Sequence, residues 1–334
     1  MKKLHKIIAV LSILALVLSS AACAKKDAEP SDTAPAGGSA KYTVGIVQLI
    51  QHVALDAATK GFRDYLTEEF GDNITFLEQN AQGDPNTCAT IANGFVSSKV
   101  DLILANATPA LIAAAAATSE IPILGTSITS YADAFKIQDF NGVVGGNVSG
   151  TSDLPPLDQQ AQMILDLFPE TKKVGIIYCS GEPNSIYQVN IVKEYLEGKG
   201  VEVTLYPFAD SNDIAAVTTT AAKNSDAIYI PTDNAAASNA KIIDNICRPA
   251  KVPVIAGEQG ICRGCGVATL SIDYYDLGYT TGKMAAKILK GEADISTMPI
   301  EYAPKFTKMY NAEICEDLGI TIPEGYEPIP PESE

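Results

Sequence analysis

From residue 42 onward the chain alternates between two hydrophobic periods. A short apolar, β-branched run at 42–49 reads as a buried strand, and 74–79 and 100–106 read as the next strands. Between them apolar residues recur at helical spacing. Leu55, Ala58, Phe62, Leu66 and Phe70 form one such stripe, closed by Gly71. Asp84-Pro85 and Thr108-Pro109 each place a capping side chain before a proline in the first turn, where its missing N–H costs nothing. They predict a helix from Pro85 and another over 111–118, followed by a strand at 121–124. A second series opens near Thr151. It has strands at 174–179, 201–205, 227–230, 252–256 and 267–272 and helices at 186–196, 214–222, 235–246 and 275–289. The tail carries only a short segment at 312–318. Repeated βα units with continuous apolar strands predict an α/β chain with two doubly wound parallel-sheet lobes. In such sheets ligands bind beyond the carboxyl ends of the strands.

The first residues have a different pattern. Lys2, Lys3 and Lys6 precede an apolar run at 7–18, too short to span a bilayer as a mature helix, and Ser19-Ser20-Ala21-Ala22 follow. That predicts a secretory leader at 1–22. Cys23 directly after the small residues resembles a bacterial lipobox, which implies lipidation at Cys23, although Ser20 stands where a leucine is usual. The stretch 24–40 is polar and rich in Ala, Pro, Gly and Ser, so 23–40 reads as a lipidated cysteine and flexible tether. The layout predicts anchoring at the extracytoplasmic face of a cell membrane.

Charge excludes one class of partner. The chain has 24 basic and 40 acidic residues; three lysines leave with the leader, so the exported part holds 21 against 40, a formal charge of −19. Nucleic acid, which demands basic patches, is not an expected partner. Six cysteines follow Cys23: Cys88, Cys179, Cys247, Cys262, Cys265 and Cys315. Cys262-Arg263-Gly264-Cys265 is a CxxC, but His52 is the only histidine of the exported part, no second ligand pair stands at zinc spacing, and the motif precedes a strand-like segment where a thioredoxin motif would precede a helix. A disulfide or buried thiols are expected, and no metal or cofactor.

The strand-to-helix loops carry the candidate chemistry. The first series offers Gln51, His52, Asn80, Gln82, Thr108, Thr126 and Ser127; the second offers Glu182, Asn184, Ser185, Asp233, Asn234 and Glu258. Neutral amides, hydroxyls and a few acids suit a small neutral or zwitterionic solute. Helix N-termini can hold its carboxylate, and Glu258 or Asp233 an ammonium group. Each residue also has a plain structural role open to it: Thr108, Asn184, Ser185 and Asp233 as caps or turns, His52 as a packed residue. No G-x-S-x-G, P-loop, GxGxxG after a first strand or HExxH occurs, so no enzyme is expected.

The segments VGIVQLIQHVALDAATKGFRDYL, QNAQGD, ATPA, GEPNS, YIPTDN and SIDYYDLGYTTGKMAAKILKG, in that order, resemble the substrate-binding proteins of ABC importers. The branch that takes up tryptophan, tyrosine or phenylalanine is the most similar. The chain departs from it at HVALD, where that branch has HPALD, and at the CxxC. The resemblance implies a type I periplasmic-binding-protein fold with three crossings between lobes. One lobe would be 41–150 plus 258–296, the other 151–257 plus 297–334. It further implies a monomer that clamps an aromatic amino acid and delivers it to a membrane permease. Thr108, Thr126 and Ser127 would hold the carboxylate and Glu258 the ammonium group, with Asp233 as competitor. With no Trp, the aromatic platform must come from residues such as His52, Tyr178, Tyr187 or Tyr274. The same fold serving a sugar or nucleoside, or a surface adhesin or sensor, is the alternative.

Overall fold

A computed structural model describes residues 41–330; the leader, Cys23 and the tether lie outside the described residues. The first series comprises β1 (Tyr42–Gln48), α1 (Val53–Phe70), β2 (Ile74–Asn80), α2 (Pro85–Ser98), β3 (Leu102–Asn106), α3 (Thr108–Ala117), β4 (Ile123–Ile128), α4 (Tyr131–Phe135) and β5 (Val148–Ser152). The second comprises α5 (Leu157–Leu167), β6 (Lys173–Cys179), α6 (Pro183–Gly198), β7 (Glu202–Phe208), α7 (Ile214–Asn224) and β8 (Ala227–Ile230). It continues through α8 (Asn234–Ser238), α9 (Ala240–Ala250), β9 (Val254–Ala256), α10 (Gln259–Cys265) and β10 (Ala268–Ser271). Then follow α11 (Tyr274–Leu289), β11 (Glu301–Tyr302), β12 (Thr307–Tyr310), α12 (Ala312–Leu318) and β13 (Glu327–Pro328).

These strands form two sheets, ordered β2-β1-β3-β4-β5-β11 and β7-β6-β8-β9-β10-β12-β13. All pairings are parallel except β10 with β12. The central strands β3, β4, β8 and β9 are buried along their whole length, as their apolar runs require when helices cover both faces. The chain passes between sheets three times, after β5, after β10 and after β11.

The crossings differ from those expected. Strand β10 pairs with β9 and β12, so 258–271 belongs with the second lobe and not the first. Strand β11 pairs with β5, which keeps the chain with the first lobe to Tyr302 and not only to 296. Helix α11 is what returns to the first lobe, and glycine makes the return possible. A Cβ on Gly278 would stand 1.9 Å from the Ala58 carbonyl oxygen, and one on Gly61 would stand 2.1 Å from that of Tyr275, so α1 and α11 meet backbone to backbone.

Candidate functional site

The carboxyl ends of β1, β3 and β4 present 49–52, 107–109 and 127–129; those of β6, β8 and β9 present 180–185, 231–234 and 257–259. The two sets face each other across a cleft. A cavity of about 440 Å³ opens there, walled by Leu49, Ile50, Pro85 and Pro109 on one side and Ala209 and Ala235 on the other.

Thr108 is not the helix cap its sequence suggested. The N-cap of α3 is Ala107, held at φ 91°, and no side chain caps the helix. Thr108 therefore sits in the first turn with its hydroxyl free: Oγ1 is buried and has no hydrogen-bond partner. Ser127, at φ 56° where β4 bulges against β5, likewise buries an unpartnered Oγ. Two non-glycine residues in left-handed conformations beside two orphan hydroxyls mark a strained loop pair, and such strain persists where the surroundings impose it, most often at ligand sites. An uncapped ten-residue helix adds free amides aimed the same way. From the second lobe Asn184 adds a buried carbonyl, Oδ1, with no donor, while its Nδ2 is held by Glu182 and the Thr232 carbonyl.

The acids divide into two kinds. Asp233 is fully engaged as a cap: it accepts from Ala236 N at 2.8 Å and Cys179 N at 2.6 Å. Burial, then the charge of Glu182, pushes its carboxyl up. Glu182 accepts from Asn234 N, Asn234 Nδ2, Ala235 N and Asn184 Nδ2. At the hinge stand Glu258 and Asp153. Glu258 caps α10 through Gly260 N and Ile261 N, is 1 % exposed, and is pushed up to about 7, chiefly by burial. Asp153 is 3 % exposed and accepts from the Tyr274 hydroxyl at 2.9 Å; burial raises it to about 6. The charge of Asp153 adds to the rise at Glu258. No lysine, arginine or histidine makes an ion pair with either carboxylate among the described residues. The charge of Arg263 lowers Glu258 only as the smallest of the effects on it, and two buried acids that repel each other and make no ion pair are complementary to a cation.

The family model for ABC transporter substrate binding proteins matches residues 43–328. The chain belongs to this family. It is 37 % identical over 260 residues to a tyrosine-binding protein of Clostridioides difficile, covering 77 % of this chain and 75 % of that one. It superposes with TM-score 0.81 on a Streptococcus pneumoniae ABC domain in complex with L-Trp, at 34 % identity over 85 % of this chain and 97 % of the other. A ligand-free, open substrate-binding protein with adhesive properties from Clostridium difficile gives 0.65 at 36 % identity over 86 % and 99 %. At nearly equal identity the score is lower against the structure described as open, in keeping with the contact that His52 makes with Asn234 across the cleft here. The family acts outside the cytoplasm, and among the described residues no helix is long and apolar enough to cross a membrane.

The remaining candidates scatter. His52 Nε2 lies 3.2 Å from Asn234 Oδ1, across the cleft. Gln51 is exposed and borders a separate hollow beside Asp56, Lys60 and Arg63, away from the cleft cavity. Asn80 accepts from Gln82 N and so shapes a turn. Thr126 is fully buried and accepts from Thr151, beneath the site. Ser185 is buried at the start of α6. Tyr274 reaches the site through Asp153, while Tyr178 and Tyr187 pack against the second lobe's core. Asp153, which the sequence reading did not single out, stands directly after the hydroxyl-rich strand β5 at the first crossing, where no apolar period draws attention to it. The CxxC lies inside α10 and precedes strand β10, as its sequence suggested, with Cys262 and Cys265 facing the core at helical spacing. All six described cysteines are free and buried, and burial pushes the Cys262 and Cys265 thiols well above their ordinary range.

Proposed function

We propose that this substrate-binding protein captures an aromatic amino acid outside the cell membrane and hands it to an ABC permease, held there by a lipid on Cys23. One observation carries the reading: hydrogen-bond donors without acceptors stand on one wall of the cleft, and buried carboxylates without a counter-ion stand at its hinge. A zwitterion satisfies both. Its carboxylate accepts from Thr108, Ser127 and the α3 amides. Its ammonium donates to Asp153, Glu258 and Asn184 Oδ1. Its ring fills the cavity between Leu49, Ile50, Pro85, Pro109, Ala209 and Ala235. The tyrosine-binding relative and the L-Trp complex support this choice of side chain. No bond is made or broken: the ligand's contacts to both lobes lower the free energy of the closed form, and the permease meets that form.

Native mass spectrometry of protein purified without denaturation tests the reading. A bound mass of tyrosine, tryptophan or phenylalanine is expected; a sugar or nucleoside in its place would sink it. Lipidation is tested separately by palmitate incorporation, which Cys23→Ser should abolish. A second role at host surfaces is favoured by the adhesive relative alone. It requires binding to host cells that survives loss of the amino-acid site.

A further inference from the structure

The lobes of this closed form meet away from the hinge through one direct side-chain hydrogen bond among the described residues, His52 to Asn234 at 3.2 Å. The bonds joining Asp153 to Thr129 and Tyr274 lie at the hinge itself, and among the described residues no ion pair crosses between lobes. The pair is built, not incidental. Asn234 is fixed from behind by Glu182, which accepts its Nδ2 at 2.5 Å and its backbone N at 3.1 Å. With Nδ2 committed to a carboxylate, the Asn234 amide can present only its Oδ1 to the cleft. An oxygen that only accepts requires a donor opposite, so Nε2 of His52 carries the hydrogen. That leaves Nδ1 as a bare acceptor, and it is buried without a partner. The tautomer is thus set by the second lobe, while the backbone of His52 is set by the first, where its carbonyl accepts the Asp56 amide that opens α1.

We infer that His52 and Asn234 are the closure latch of the cleft, with Glu182 as the positioning residue that keeps the Asn234 carbonyl turned toward it. The inference rests on the reading of the chain as a two-lobed solute trap, and it concerns the lifetime of the closed form, not the ligand's identity. A latch made after the lobes meet leaves capture unchanged and slows escape. A merely structural histidine would change fold stability without separating the two rates.

The charged groups facing His52 are Asp56, on its own helix, and Glu182, behind Asn234. Burial in the closed form lowers the His52 ring to about 4, so the latch works with a neutral imidazole.

The experiment is stopped-flow binding of L-tyrosine, L-tryptophan and L-phenylalanine to wild type, His52→Ala and His52→Gln at pH 7.5. In His52→Ala the dissociation rate should rise about 3- to 10-fold, the range one neutral hydrogen bond supports, with the association rate within twofold. Glutamine keeps a donor at similar reach and should recover most of the loss. An unchanged dissociation rate in His52→Ala, or a glutamine variant as fast as the alanine one, overturns the latch. If wild type takes up none of the three amino acids, the functional reading fails alone. The latch is then read by small-angle X-ray scattering of the ligand-free protein. A larger radius of gyration in His52→Ala than in wild type supports it, and superimposable profiles overturn it.

Discussion

Replacing Glu258 by glutamine should move affinity and stability in opposite directions. The carboxylate does two things in this fold. It accepts from Gly260 N at 2.5 Å and from Ile261 N, capping α10, and it lies buried near Asp153 without an ion pair. Its carboxyl sits at about 7 against an ordinary 4.5, so in the ligand-free protein every pH unit above 4.5 up to about 7 costs folding stability. At ~1.4 kcal/mol per unit the total approaches ~3 kcal/mol. Glutamine removes that cost. It keeps one acceptor oxygen for the cap and forfeits the other bond, a loss of ~1 kcal/mol. The ligand-free melting temperature at pH 8 should therefore hold or rise. Binding should suffer, because a charge-assisted hydrogen bond to an ammonium group becomes a neutral one. The difference is ~1.5 kcal/mol, or about tenfold in Kd. Calorimetric titration with tyrosine or tryptophan and differential scanning calorimetry of the same samples give both numbers. An unchanged Kd would reduce Glu258 to a helix cap and leave Asp153 alone with the ammonium. A melting temperature that falls with the affinity would mean that the cap outweighs the buried charge.

Further expectations follow from neighbouring residues. Thr108→Val deletes a buried hydroxyl that has no partner in the ligand-free fold, so stability should hold while affinity drops about 5- to 10-fold by titration. Affinity should decline as pH falls through 7 and 6, because Glu258 and Asp153 take up protons there and no longer offer negative charge. His52 acts in the same direction: burial between the lobes lowers it to about 4, and a ring that opening returns to water takes up a proton more readily, so acid favours the open form. In His52→Gln the decline should be shallower. Gly278→Ala drives a methyl into the Ala58 carbonyl oxygen and should cost ~3 kcal/mol or more of stability by chemical denaturation, with the residual folded protein still binding.

Much of the fold was legible because buried parallel strands and their helices write two distinct periods into the chain. The strand expected at 227–230 is β8, and the helix expected at 214–222 lies within α7. What escaped was set by long-range pairing. Nothing in the short ATLS run says which sheet it joins, and only the pairing of β10 with β9 places 258–271 in the second lobe. The CxxC helix α10 has seven residues, too few for a hydrophobic period to declare itself. The candidate site was legible as a set of loops, since strand order puts carboxyl ends together. The state of each side chain was not. Thr108 and Asp84 carry the same cap-and-proline signature, yet Asp84 accepts from Asn86 N while Thr108 falls one position inside its helix and keeps a free hydroxyl. Asp153 was hidden because its role depends on Tyr274, 121 residues further along, arriving from a second crossing.

Isothermal titration of protein that has been unfolded, freed of small molecules and refolded measures whether the cleft clamps one aromatic amino acid. Saturable binding of tyrosine or tryptophan at one site per chain, with a negative heat-capacity change from burying the ring, is the expected result. No heat from any of tyrosine, tryptophan and phenylalanine, with the refolded chain giving the native melting curve, would contradict the account.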